Sequence, residues 1–447
     1  NKIYKICNSK DIIILKKIQK FYPIIILLLA LLTRIASAIV LNDNIKQVSD
    51  FYTALKTSET LVFSKPYHYL FPHWVLLPKI ANVLFSVFGS SQLVILVFNA
   101  VVCTIVSVLI YFVTNKILNN KNISFLASIL YIIWPANILY VGVYTTEHIV
   151  QMLLLIGTFF IYKGNNETRK LKKIIYFFVA GVSLSLTTFF KNFGIIFVIA
   201  LLIYFILKII FESKRNLKKY IIVYLISFIT VIVGYFITNQ IMYAYIDSIV
   251  GGKVSRNNIA YFLTVGLSSK NDGTYNEEIS KDYKEAIENN NYDYDTVNKE
   301  MMNKLKEDVK NNNELFTLLK NKAKIVAQND EARIEFICRM AKANESEKLA
   351  KFVEDYILEI NNFYYIIIFT LMGLGLLRFI KDKNLEILYI YISIYGSYLL
   401  LLIIETQNRY TYSINPFICI LAGIGFEYLI KQKRNILYFD KERKEEV

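Results

Sequence analysis

What most limits the folds open to this chain is a series of long apolar runs joined by short charged loops. Roughly 20 consecutive apolar residues carry a helix across a bilayer, and a helix satisfies its own backbone hydrogen bonds there. The runs fall at Phe21–Leu41, Gln92–Val113, Ile123–Val143, His148–Tyr162, Ile174–Phe190, Phe193–Ile210, Tyr220–Met242, Phe363–Phe379, Leu385–Ile404 and Thr411–Ile430. They predict an all-α polytopic membrane protein with about ten transmembrane helices. The first run is not expected to be a cleaved signal: it is long, lacks a small-residue cleavage site, and many further runs follow it.

The basic residues give the sidedness. Lys2, Lys5, Lys10, Lys16, Lys17 and Lys20 precede the first run. Later clusters sit at Lys116 and Lys121, at Lys163 to Lys173, at Lys214 to Lys219, at Lys381 and Lys383, and at Lys431 to Arg434. With odd helices running outward through the seventh, all of these fall on one side, which the positive-inside rule makes the cytosol. Both termini are then inside. Asp50, Glu147, Lys191, the polar stretch 243–362 and the Glu405–Arg409 loop fall on the opposite, extracytoplasmic side of the cell membrane. Four regions follow: a seven-helix membrane module over 1–242 with a first outer loop at 42–91, an outer segment over 243–362, three helices over 363–430, and a cytosolic tail over 431–447.

The net charge of +15 does not point to nucleic acid, because it is spread over loops between apolar runs. Cys7, Cys103, Cys338 and Cys419 have no paired spacing, and histidine occurs only at 68, 73 and 148. Neither a disulfide framework nor a zinc pattern is readable, and a histidine-rich metal site is not indicated.

Tyr67–Phe88 is apolar but is broken by Pro72 and Pro78, and it carries His68, His73 and Lys79. Counted as a span, it would invert every later loop. It reads as helices lying on, or dipping into, the outer membrane surface. In the outer segment, Tyr292–Val309 and Phe316–Val326 have helical apolar spacing, so a small, mainly helical domain is expected, with a turn at Asn289–Asn291.

Charges beside membrane helices are costly enough to need a reason. Asp50, Glu147, Lys191 and the Glu405–Arg409–Tyr410 set share the outer side, and Arg34 lies in the outer half of the first run. Arginine holds a phosphate by a bidentate fork and lysine by a point charge, while a carboxylate can take a proton from an attacking hydroxyl. Each residue also has a plainer reading. Asp50 can be a solvated loop acid, and Glu147 can serve the helix dipole. Lys191 can snorkel from a hairpin tip, and Arg409 with Tyr410 can anchor the interface. Arg34 can form a structural pair, and His73 can simply pack.

The order of motifs resembles a known superfamily. A first helix and the loop acid of SDFY are followed by FPHWVLLPKIANVLFSVFGSS, WPANILYVGVYTTEH, FFKNFG between two helices, and ETQNRYTYSINPF before the last helix. This series resembles the GT-C membrane glycosyltransferases, in particular the dolichyl-phosphate-mannose protein mannosyltransferase-like branch of Gram-positive bacteria. YFLTVGLSSKNDGTYNEE, residues 261–278, is similar to the start of the outer domain in such relatives. The resemblance implies a polyprenyl-phosphate-linked sugar donor and a hexosyl- or pentosyltransferase. It implies a catalytic aspartate matching Asp50, a second catalytic acid matching Glu147, and donor-binding residues matching Lys191 and Arg409. Glu405, Tyr410, His73 and Arg34 are expected to complete the substrate site.

The sequence departs from the pattern at Phe51, where many members carry a second acid, and no Asp-x-Asp signature follows. No cofactor is expected to be required, a divalent metal is not indicated, and Asp43 is the reserve base. The acceptor is left open among protein, teichoic acid, wall glycan and lipid. Two other functions share these features: a flippase or exporter of lipid-linked sugars, and an envelope polysaccharide polymerase or ligase. A transporter often has two related halves, which this sequence lacks.

Overall fold

In the computed structural model every described element is a helix. The structure describes residues 17–212, 217–310, 312–382 and 384–445. Cys7, Lys2, Lys5, Lys10, Lys16, Lys214, Arg215 and Lys383 lie outside the described residues. Among the described residues, eight helices are long and apolar enough to cross a membrane. A bent pair, 121–132 with 135–142, makes up to nine.

The first membrane helix is α1, Tyr22–Asn42. The loop that follows is largely helical: α2 is Ser49–Thr60, α3 Tyr67–Leu70 and α4 Leu76–Phe88. None of these is long enough to count among the membrane-spanning helices. The amphipathic α4 buries Leu76, Leu77, Ala81 and Phe85 and leaves Val83, Val87 and Phe88 exposed.

The bundle continues with α5, Gln92–Leu118, and α6, Lys121–Ile132. Asn120 caps α6 by accepting from the Asn122 and Ile123 amides. Pro135 then opens α7, Pro135–Leu139, and the chain bends by 65° at this break. Proline fits the first helical position because the amide it lacks has no helical partner there. Next come α8, Glu147–Asn165; α9, Lys170–Leu186; α10, Gly194–Glu212; and α11, Leu217–Val250. Helix α8, expected as the fourth span, is not among the eight. Helices α9 and α11 cross backbone to backbone: a Cβ on Gly181 would collide with the Val231 carbonyl, and one on Gly234 would lie 2.5 Å from the Phe178 carbonyl. Small residues allow membrane helices this close an approach.

Helix α11 runs on past the boundary expected at 242/243. The polar segment between the long helices contains α12, Ile259–Gly266; α13, Glu277–Asn289; α14, Tyr294–Lys310; α15, Leu315–Ala327; and α16, Glu331–Lys342. The chain turns after α13 through Asn291 and Tyr292, both at positive φ. It re-enters the bundle through α17, Glu347–Phe352, a π turn at Val353–Ile357, and α18, Leu358–Asp382. Helix α19, Leu388–Ile403, and α20, Asn415–Glu445, complete the chain. Buried residues of the bundle and of the polar segment form one continuous apolar core. The segment is locked down by Asp330, which accepts from Trp134 Nε1 at 3.0 Å and from Arg333 Nε at 2.8 Å.

Candidate active site

Asp50 sits in the first turn of α2, directly after Ser49, which has a φ of +56°. The sequence reading placed it in a loop. Asp50 is half-buried, and its Oδ1 accepts a hydrogen bond from the Tyr67 hydroxyl at 3.2 Å. Burial, and next to it the Asp50 charge, raise the Tyr67 phenol well above its usual range, so Tyr67 stays a donor. Tyr67 comes from α3 and was not singled out in the sequence.

Phe51, the neighbour of Asp50, is buried beneath Arg409, whose guanidinium carbon lies 5.0 Å from the Phe51 ring centroid and 4.9 Å from that of Phe336. Arg409 belongs to a 3-10 helix, Asn408–Ile414, between α19 and α20. Its Nε donates to Gln407 Oε1 at 2.6 Å. Glu405 Oε1 accepts from Gln407 Nε2 at 2.8 Å and from the Tyr410 hydroxyl at 3.0 Å. The Tyr410 ring then faces Lys191, whose Nζ lies 3.4 Å from the ring centroid.

Lys191 is set by the turn between α9 and α10. Phe189, Phe190 and Phe193 are buried around it, the Lys191 amide donates to Thr187 O at 2.7 Å, and the Gly194 amide donates to Thr187 Oγ1 at 2.9 Å. With its flanks buried, the lysine turns inward to meet Glu147 Oε1 at 2.6 Å. Glu147 is the first residue of α8, where the helix dipole favours an acid. Its Oε2 accepts from Thr145 Oγ1 and, at 3.3 Å, from the Tyr140 hydroxyl. Burial pushes the Lys191 ammonium down to about 8; Glu147 pulls it back up and Arg409 opposes that.

His73 packs against Phe71, Trp74 and Phe262, with centroids 5.9, 5.9 and 6.4 Å away. Burial, helped by the Lys191 charge, pushes its imidazole down to about 3, so it is neutral at ordinary pH. Phe71 also meets Tyr67 and Tyr261, which extends an aromatic wall from the Asp50 side towards Lys191. The structure thus brings Asp50, Glu147, His73, Lys191, Glu405, Arg409 and Tyr410 to one end of the bundle, beside the polar segment.

Arg34 does not join them. Its side chain is fully buried within the bundle and donates from Nη2 to the Tyr131 carbonyl at 3.2 Å, while Nε and Nη1 have no hydrogen-bond partner. Asp43 is exposed and bonds Asn42. Among the described residues, no group of three or more His, Cys, Asp or Glu side chains is arranged to hold a metal ion.

Residues 73–236 match the family described as dolichyl-phosphate-mannose-protein mannosyltransferase. The matched stretch includes His73, Glu147 and Lys191, whereas Asp50, Glu405 and Arg409 lie outside it. The whole architecture is similar to that of the archaeal oligosaccharyltransferase AglB from Archaeoglobus fulgidus, solved in complex with an inhibitory peptide and a dolichol-phosphate. That likeness has 13% identity and a TM-score of 0.52, over 95% of this chain and 52% of that one. The chain has the GT-C fold. The oligosaccharyltransferase of the same organism in its apo form gives 11% identity and a TM-score of 0.53, again over 95% and 52% of the two chains. Its complex with zinc and sulfate gives 12% and 0.51, over 94% and 50%. The chain therefore spans about half the length of the solved structures it matches. No curated protein sequence matches it.

Proposed function

We propose that the protein transfers a sugar from a polyprenyl-phosphate-linked donor to an acceptor hydroxyl at the extracytoplasmic face of the cell membrane, with inversion at the anomeric carbon. The observation that supports this reading is that Asp50, hydrogen-bonded by Tyr67, adjoins the Phe51 ring over which Arg409 stacks, while Lys191 faces the ring of the next residue, Tyr410, at one end of a GT-C bundle.

The donor phosphate lies against Arg409 and Lys191. Arginine supplies a planar fork and lysine a point charge, and together they stabilise the negative charge that grows on the leaving phosphate. The acceptor oxygen attacks the anomeric carbon from the side opposite the phosphate. Its bond to carbon forms as the carbon–phosphate oxygen bond breaks, the electron pair leaves with polyprenyl phosphate, and the hydroxyl proton passes to Asp50. Tyr67 orients the carboxylate. Glu147 is enclosed by Lys191, Thr145 and Tyr140, so its part is to fix Lys191, not to take the proton. His73 and the rings beside it wall the sugar space.

The test is to incubate purified protein in lipid with a panel of polyprenyl-phosphate sugars and to measure released polyprenyl phosphate. Release that depends on Asp50 is expected. Release that persists undiminished in folded Asp50→Asn protein would sink the assignment.

A further inference from the structure

Lys322, on α15 of the polar segment, has no exposed surface. A lysine ammonium so enclosed is costly unless its protons are used. Its Nζ donates to the Gly266 carbonyl at 2.5 Å and to the Ile404 carbonyl at 2.7 Å. Gly266 is the last residue of α12, and Ile404 follows the last residue of α19. Both carbonyls lie at helix C-termini, where the aligned peptide dipoles leave partial negative charge. One ammonium therefore ties together the ends of two helices from different parts of the molecule.

The space around it is shaped for this. Gly273 has a φ of +70°, and a Cβ there would lie 2.5 Å from the Gly266 carbonyl and 2.8 Å from Lys322 Cδ and Nζ. The loop beyond Ile404 is bonded residue by residue to the polar segment. The Glu405 amide donates to Phe262 O at 3.0 Å, and the Thr406 amide to Gly273 O at 2.8 Å. Asn408 Nδ2 donates to Ile325 O and Asn329 O at 3.1 and 2.5 Å. Arg409 and Tyr410 come next. Their placement is set by α15 and its surroundings as much as by the membrane helices on either side.

We propose that Lys322 is a positioning residue: by holding Gly266 and Ile404 together it fixes the loop that presents Arg409 and Tyr410 to the donor phosphate, and so sets donor affinity. The donor half of this statement rests on the function proposed above; the clasp itself does not.

Two measurements on the full-length protein in lipid separate the two. The first is trypsin cleavage after Arg409, which needs no substrate. Lys322→Met keeps an unbranched side chain one atom shorter and removes the charge, and it is expected to speed this cleavage. The second is equilibrium binding of polyprenyl phosphate, expected to weaken roughly tenfold in Lys322→Met, as for loss of a buried charge-assisted bond. Lys322→Arg restores the charge and is expected to recover part of the affinity. Asn408→Ala, which frees the other anchor of the same loop, is expected to weaken binding less than additively with Lys322→Met. It also carries the test should the methionine variant not fold. A lysine that only stabilised the fold would lower the yield of folded protein and leave the affinity of the remainder unchanged. Unchanged cleavage and unchanged binding in folded variants overturn the clasp. Wild-type protein that binds no polyprenyl phosphate overturns the donor half and the proposed function with it.

Discussion

The Lys191 ammonium lies 2.6 Å from Glu147 Oε1 and 3.4 Å from the Tyr410 ring centroid, so one cation joins the α9–α10 turn, the start of α8 and the loop before α20. Removing one partner of a buried ion pair strands the other and costs about 3–5 kcal/mol. Lys191 keeps 19% of its side-chain surface, which places Glu147→Gln at the lower end, about 3 kcal/mol. Thermal unfolding in detergent reads this. The Glu147→Gln/Lys191→Met double variant is expected to be less destabilised than the sum of the singles.

Asp50→Asn keeps the Tyr67 contact possible but removes the proposed base. Turnover is expected to fall by about 10²–10⁴-fold, the usual contribution of a positioned general base, with polyprenyl-phosphate binding retained. Tyr67→Phe leaves the carboxylate in place without its donor, and a fall of roughly tenfold is expected. Single-turnover measurements with saturating donor check both.

Arg409→Lys keeps the charge but loses the planar fork and the flat stacking over Phe51 and Phe336. Donor KM is expected to rise about tenfold with a smaller change in kcat. A variant with unchanged KM would remove Arg409 from the phosphate site.

Burial pushes both Lys191 and Lys322 down to about 8. Their charge is present below that pH and lost above it, whereas an unfolded lysine holds its proton to about 10.4. Donor affinity is therefore expected to fall as pH rises through about 8. Stability does not fall with it through these two groups, because between the two values the unfolded chain binds more protons, and linkage then favours the folded state. Lys191→Arg is expected to make the loss of affinity shallower. KM and unfolding profiles against pH separate the two effects.

On the acid side, burial pushes His68 and His73 down to about 4 and about 3. Below about pH 6.5 the unfolded imidazoles take up protons that the folded ones refuse, so stability through these groups falls as pH falls. The double variant His68→Gln/His73→Gln is expected to flatten that slope in an unfolding series from pH 7 to pH 4.

Most of the membrane helices were legible in the sequence because a long apolar run is conspicuous; the third expected run is a bent pair and the fourth is not among the eight. The α14 and α15 windows were legible from their spacing, and the observed helices begin and end within two residues of them. Helix α2 was not: SDFYTALKTSET has little apolar content and Val48 supplies no side-chain cap, so what holds it is the burial of Phe51 and Ala54. Tyr67 was one tyrosine among 33. Lys322 looked like any lysine of a polar helix, since its burial depends on a glycine nearly fifty residues away. Arg34 misled for the opposite reason. Sequence gives its depth along α1 but not which neighbours enclose it, and the fold places it against the Tyr131 carbonyl.

Helix α11 is 34 residues long, or roughly 51 Å at 1.5 Å per residue. From Tyr220 to Tyr245, past the exposed Lys218 and Lys219, its outward face is mainly apolar, a stretch of roughly 38 Å on the same basis. A hydrocarbon layer is about 30 Å thick, so the excess length is taken up by tilt, a bend or local thickening of the bilayer, to a degree set by the lipid around it. The close Gly181–Gly234 crossing couples this helix to α9, which leads into the turn that carries Lys191. Turnover is therefore expected to vary with bilayer thickness, which vesicles of graded acyl-chain length would test.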